Sequence, residues 1–181
     1  MRYIILLFAT LTLIACTRGK QTMLPDSGGR PYEVVLIGDS DSILYKVLTA
    51  PVTALPQPEP TFDVSMSTSM NATLRLARNI VVVETDHKLK QINIKYKRNV
   101  YAEPQLIVHV STPSMELLHY AMQSQDATNN IRNLLKRNEI KNAITLLEHK
   151  RNTKLEAEVQ QMFGIDMRIP SDMRASKKGK D

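Results

Sequence analysis

The chain has 181 residues, enough for one ordinary domain and little more. Its single cysteine excludes an intramolecular disulfide. The net charge of +6 is modest and too diffuse to argue for nucleic acid as a partner.

Met1 to Ala15 differ from the rest. Arg2 supplies a short positive start, and Tyr3 to Ile14 is apolar apart from Thr10 and Thr12. Such a run falls short of the roughly 20 residues that a permanent helical span needs. It fits the apolar region of a secretory signal peptide. Leu13-Ile14-Ala15-Cys16 then resembles the lipobox of bacterial lipoproteins. The resemblance implies a lipid on the Cys16 thiol, with cleavage between Ala15 and Cys16. The residue types suit that chemistry. A thiol is the soft nucleophile for lipid transfer, and a small residue admits the scissile bond to a peptidase. More than one acyl chain on Cys16 would make the anchor stable, whereas a single chain is marginal. By resemblance to lipoprotein sorting signals, Thr17 in place of Asp favours the outer membrane. The absence of an acidic patch in Thr17–Gln21 favours its periplasmic side.

Gly19, Pro25, Gly28 and Gly29 mark residues 16–30 as a flexible, lipidated tether. Tyr32–Gly38 is a β-branched run read as a buried strand. Asp39 or Ser40 can cap a short helix over Asp41–Leu48. Pro51, Pro56, Pro58 and Pro60 make the next stretch extended. Thr61–Ser65 reads as an edge strand, Thr68–Arg78 as a short helix and Ile80–Thr85 as a clear strand. Gln91–Tyr101 alternates apolar and basic residues, as a half-exposed strand does, and Gln105–Ser111 is a further strand. Thr112-Pro113, followed by Glu116, opens a helical region. Ile131, Leu134 and Leu135 mark one stripe. Ile140, Ile144, Leu147, Leu155, Val159 and Met162 mark a second. Asn129, Asn130 and Asn138 predict a break or kink between them, and Gly164 suits a C-cap. Ile165–Ile169 reads as a last strand, and Arg174 with Lys177, Lys178 and Lys180 as a solvated basic tail.

These elements predict an α+β domain over residues 31–170, with a mostly antiparallel sheet covered on one face by helices on a ferredoxin-like (split βαβ) plan. A signal peptide (1–15) and the tether (16–30) precede it, and the basic tail (171–181) follows.

No catalytic constellation stands out. Gly38-Asp39-Ser40 after an apolar strand resembles the opening of the GDSL hydrolases, in which the serine is the nucleophile. That family also needs Asp-x-x-His, and no aspartate here has histidine three positions later. A serine without an oriented base is unreactive near neutral pH. The plainer reading is a turn that caps a helix. His87, His109, His119 and His149 show no pair at metal-binding spacing, so neither metal nor cofactor is expected. Glu84 and Asp86 share one face at a strand end and read as a solvated edge. Lys95, Lys97 and Arg98 have only Tyr96 interleaved, too little for stacking on bases.

Several segments together carry a family resemblance. They are Ser27–Val34, Leu55–Val64, Arg78–Ile80, Tyr101–Leu106 and Phe163–Pro170. The set resembles the DUF4837 family of Bacteroidetes lipoproteins, which brings no catalytic residues to carry over. Members of that family continue past a stretch like Ser176–Asp181, so the resemblance implies the N-terminal half of the usual length, either as a natural short form or as a truncated reading frame. Asp41-Ser42-Ile43 also matches the short acceptor pattern for O-glycosylation in that group, which makes Ser42 a candidate acceptor. The expectation is an exported, membrane-anchored lipoprotein with a non-catalytic binding, scaffolding or assembly role among envelope proteins, its ligand unspecified. The alternatives are a hydrolase using Ser40 and a remnant of a longer lipoprotein.

Overall fold

The computed structural model describes residues 23–174, apart from Ala54, together with Ser176. In chain order the elements are β1 (Glu33–Ile37), α1 (Ile43–Thr49), β2 (Asp63–Ser67), a 3-10 turn (Leu74–Leu76), β3 (Asn79–Thr85), β4 (Asn93–Arg98), β5 (Leu106–Thr112), α2 (Met115–Ala121), α3 (Gln125–Glu148) and α4 (Thr153–Phe163). No helix among the described residues is long and apolar enough to cross a membrane.

The five strands form one sheet in the order β2-β1-β3-β5-β4. The β1–β2, β1–β3 and β3–β5 pairs are parallel, and only β4–β5 is antiparallel. The α+β class therefore stands, but the mostly antiparallel sheet and the ferredoxin-like plan do not. The physical reason lies in the connections. β1 returns to β2 through α1 and β2 returns to β3 through the 3-10 turn, and crossovers of that length deliver parallel strands. A single tight connection, Asn99–Gln105, makes the β4–β5 hairpin.

Alternation along each strand sorts the side chains onto two faces. Val34, Leu36, Val81, Val83, Val108 and Val110 point to one face, where they pack with Ile43, Leu44 and Leu48 of α1, Leu118 of α2, and Ile131 and Leu135 of α3. Full burial of a Leu or Ile side chain stabilises by about 1.5–3 kcal/mol, so this layer outweighs the exposed ion pairs. The opposite face carries a smaller cluster of Ile37, Ile80, Val82 and Ile107, which Met70, Ala77 and Val100 partly cover.

Three local expectations are also corrected. Thr68–Arg78 shortens to the 3-10 turn because the Asn71 side chain accepts from Leu74 N at 2.8 Å, and such local bonds compete with a helix. α3 runs unbroken from Gln125 to Glu148 through Asn129, Asn130 and Asn138. The Asn129 and Asn138 side chains bond to arginines instead of to their own backbone. Ile165–Ile169 forms no strand; that segment folds back on the α3–α4 junction, where Ile169 O accepts from Asn152 N at 2.8 Å. Gly164 does cap α4, at φ 67°. Within the expected tether, Asp26 bridges to Glu103 and Gly28 to Ala77.

Candidate functional site

The loop after β1 holds the most enzyme-like residues. Gly38 has φ 77°, and a Cβ there would sit 2.3 Å from Val83 O. Only glycine fits this close approach. It aims Asp39 inward, where the carboxylate is 2% exposed. Asp39 Oδ1 accepts from Ile43 N at 3.0 Å and Oδ2 from Tyr45 N at 2.8 Å, so both oxygens satisfy the first turn of α1. Ser40 is exposed, and its Oγ donates to Asp41 Oδ1 at 3.0 Å. Ser42 is half-buried in the same turn with φ 55°.

This loop lies at the carboxyl end of β1, between the crossovers that leave toward β2 and toward β3. In open α/β sheets that switch point is the usual place for a ligand crevice. A cavity of about 560 Å³ opens there, lined by Gly38, Asp39, Ser40, Met66, Ser67 and Thr68. None of these six can serve as an imidazole base for Ser40, and the carboxylate beside it in sequence is already its hydrogen-bond partner. The arrangement caps a helix.

The remaining predicted residues do not converge. Cys16 and Ala15 lie outside the described residues. His87 Nδ1 is 2.9 Å from Pro113 O. His109 is half-buried opposite Lys95 in the β4–β5 pair, while His119 and His149 are exposed on α2 and at the end of α3. Glu84 and Asp86 are exposed, and Asp86 Oδ1 accepts from Lys88 N at 3.0 Å in a turn. Among the described residues no group of three or more His, Cys, Asp or Glu could hold a metal ion. Lys95 and Lys97 share a face with His109, whereas Arg98 lies on the other face, 5.8 Å from the Tyr96 ring centroid.

A second site was not anticipated from the sequence. The inward stripe of α3 turns polar beyond Leu135, with Asn138 and Glu139 only 1% and 2% exposed. Both Glu139 carboxylate oxygens accept from Arg78 Nε at 3.0 Å, and Oε1 also accepts from Asn79 Nδ2 at 2.8 Å. Asn138 Oδ1 accepts from Arg98 Nη1, and its Nδ2 donates to Asn79 Oδ1 at 3.4 Å. Gln105 is buried beside them, and its Nε2 donates to Arg75 O at 2.6 Å and to Ala77 O at 2.8 Å. A buried polar cluster is tolerable only when its members are satisfied in this way.

Above that floor a cleft of about 410 Å³ opens between the distal half of α3 and the β4–β5 connection. Arg98, Lys141, Asn142, Thr145 and His149 stand around it, with Arg78 at its base. The sequence signal was the continuation of the Ile131–Leu135 stripe by Asn138 and Asn142. Helix propensity alone marks Asn138 only as a weak residue.

A family model described as a domain of unknown function (DUF8532) matches residues 27–148, from the end of the tether to the end of α3. It is a different family from DUF4837, for which no match is found, so the resemblance read from the quoted segments is overturned. No curated protein and no solved structure matches the chain. The matched span takes in all five strands, the β1 loop and all of the cleft but His149, and it covers well over half of the sequence; the chain belongs to the DUF8532 family.

Proposed function

We propose that the protein is an exported lipoprotein, anchored in the cell envelope through Cys16, whose α+β domain binds or scaffolds without catalysis. The anchor rests on Leu13-Ile14-Ala15-Cys16 behind a short apolar run. With Thr17 after the cysteine, the outer membrane facing the periplasm is the favoured location.

One observation carries the non-catalytic part. Both oxygens of Asp39 are engaged by the backbone of α1, and Ser40 Oγ is engaged by Asp41. The loop that resembles a hydrolase opening is thus built as a helix cap. The cleft over Glu139 supports a binding role, because its rim presents donors and cations. A serine-directed fluorophosphonate reagent tests the reading on the purified full chain. The expected result is no labelling; labelling that disappears in Ser40→Ala would overturn it in favour of a hydrolase.

A further inference from the structure

We infer that the cleft between α3 and the β4–β5 connection binds a phosphate-type anion. This deepens the binding role proposed above and rests on it.

The charges of the cleft do not cancel. Arg78 and Glu139 neutralise each other at the base. Glu103 also lines the cleft, but Asn99 Nδ2 holds its Oε1 at 2.6 Å. Arg98 and Lys141 remain against that one carboxylate, so the excess is positive. Arg98 is fixed in place, with Nη1 on Asn138 and its guanidinium beside Tyr96. A planar guanidinium held on one side offers its other donors in a set direction, which suits an oxyanion.

A second observation lies in the wall of the same cleft. Asn142 Nδ2 is buried and has no hydrogen-bond partner among the described residues. Leaving a buried donor unmade is costly, about 1–3 kcal/mol, so such a group calls for an acceptor. Asn142 lines this cleft, one residue from Lys141 and one helical turn before Thr145 and Leu146. A hydroxyl, a guanidinium, an ammonium and the His149 ring line the cavity. A tetrahedral anion with several acceptor oxygens uses such a set more fully than a planar carboxylate does. The chemistry recognised is the same in a free phosphate monoester and in a lipid headgroup.

Lys141 is exposed, so Lys141→Glu tests the cleft without opening the core. Lys154→Glu, on α4 and not lining the cleft, makes the same charge change as a control. Inorganic phosphate is titrated into the full chain while the Asn142 side-chain amide is followed by NMR. The expected result is a saturable shift of that amide. It should weaken about tenfold or more in Lys141→Glu, the loss of one charge-assisted contact, and persist in Lys154→Glu. No shift, or equal weakening in both variants, would overturn the inference. Vesicles of phosphatidylglycerol against phosphatidylcholine, offered to the Cys16→Ser chain so that no lipid anchor contributes, distinguish the sources. Anionic-vesicle binding that needs Lys141 assigns the phosphate to a headgroup, and vesicle binding indifferent to Lys141 assigns it to a free ester. A missing phosphate response with Ser40 unlabelled would sink this inference alone, whereas Ser40 labelling would sink the reading beneath it.

Discussion

Glu139 on α3 receives Arg78 from the start of β3 across 61 residues of sequence, with Nε 3.0 Å from both carboxylate oxygens and the Glu139 side chain 1% exposed. This pair joins the helix to the amino-terminal edge of the sheet below the apolar layer. Removing one partner leaves a buried charge uncompensated. Glu139→Ala should therefore lower stability by about 3–5 kcal/mol in urea unfolding. The double variant Arg78→Met/Glu139→Leu should recover most of that loss. Equal stability of Glu139→Ala and the wild type would show that the pair does not hold α3.

Gly38 and Gly164 both have positive φ, but their surroundings differ. A Cβ at Gly38 meets Val83 O at 2.3 Å, whereas at Gly164 nothing lies within 4 Å. Gly164→Ala should cost only the left-handed backbone penalty, roughly 1–2 kcal/mol. Gly38→Ala adds a collision with β3 and should cost roughly 2–5 kcal/mol. Thermal unfolding of the two variants side by side gives the ranking, and the reverse order would contradict the packing of the β1 loop on β3.

Asp39 and Ser40 should separate just as clearly. Asp39→Ala removes a buried cap with two backbone bonds and should cost about 1–2 kcal/mol. Ser40→Ala loses one exposed bond to Asp41 and should stay within about 0.5 kcal/mol of the wild type. Denaturant midpoints measure both. A large loss at Ser40 with none at Asp39 would mean that the cap is assigned to the wrong residue.

The α3–α4 junction should be sensitive to acid. The side-chain hydrogen bond from Arg151, foremost, and the Ile169 backbone N–H hold the Glu156 carboxyl below its ordinary value of 4.5. A carboxyl depressed in the folded state contributes stability that is fully present above the unfolded pKa. That contribution is lost as pH falls through the lower folded pKa. Below about pH 4.5, amide exchange at Ile169 should therefore accelerate before exchange in β3 and β5. Simultaneous loss of protection in both regions would contradict a locally held junction.

Much of the sheet was legible from residue type. β1, β3 and β5 announce themselves as β-branched runs, and β4 as an alternation with lysines on the outer face. Strand direction was also written there, because near-continuous apolar runs such as Val34–Ile37 and Ile80–Val83 are the mark of parallel strands buried on both faces. The regular alternation of Ile94, Tyr96 and the lysines describes the one antiparallel edge, and extending it to the whole sheet gave the wrong plan. The polar cleft was harder to see. Asn138 reads locally as a poor helix former, and only Arg98, 40 residues earlier, and Asn79, 59 residues earlier, give it a role. The Asp39 cap was legible because its partners lie within six residues.

Metabolic labelling with palmitate tests the proposed lipid anchor at Cys16. The wild-type chain, expressed in a bacterium with lipoprotein processing, should incorporate the label, and Cys16→Ser should incorporate none. Label that persists in Cys16→Ser, or a wild-type chain that takes up no label, would contradict it.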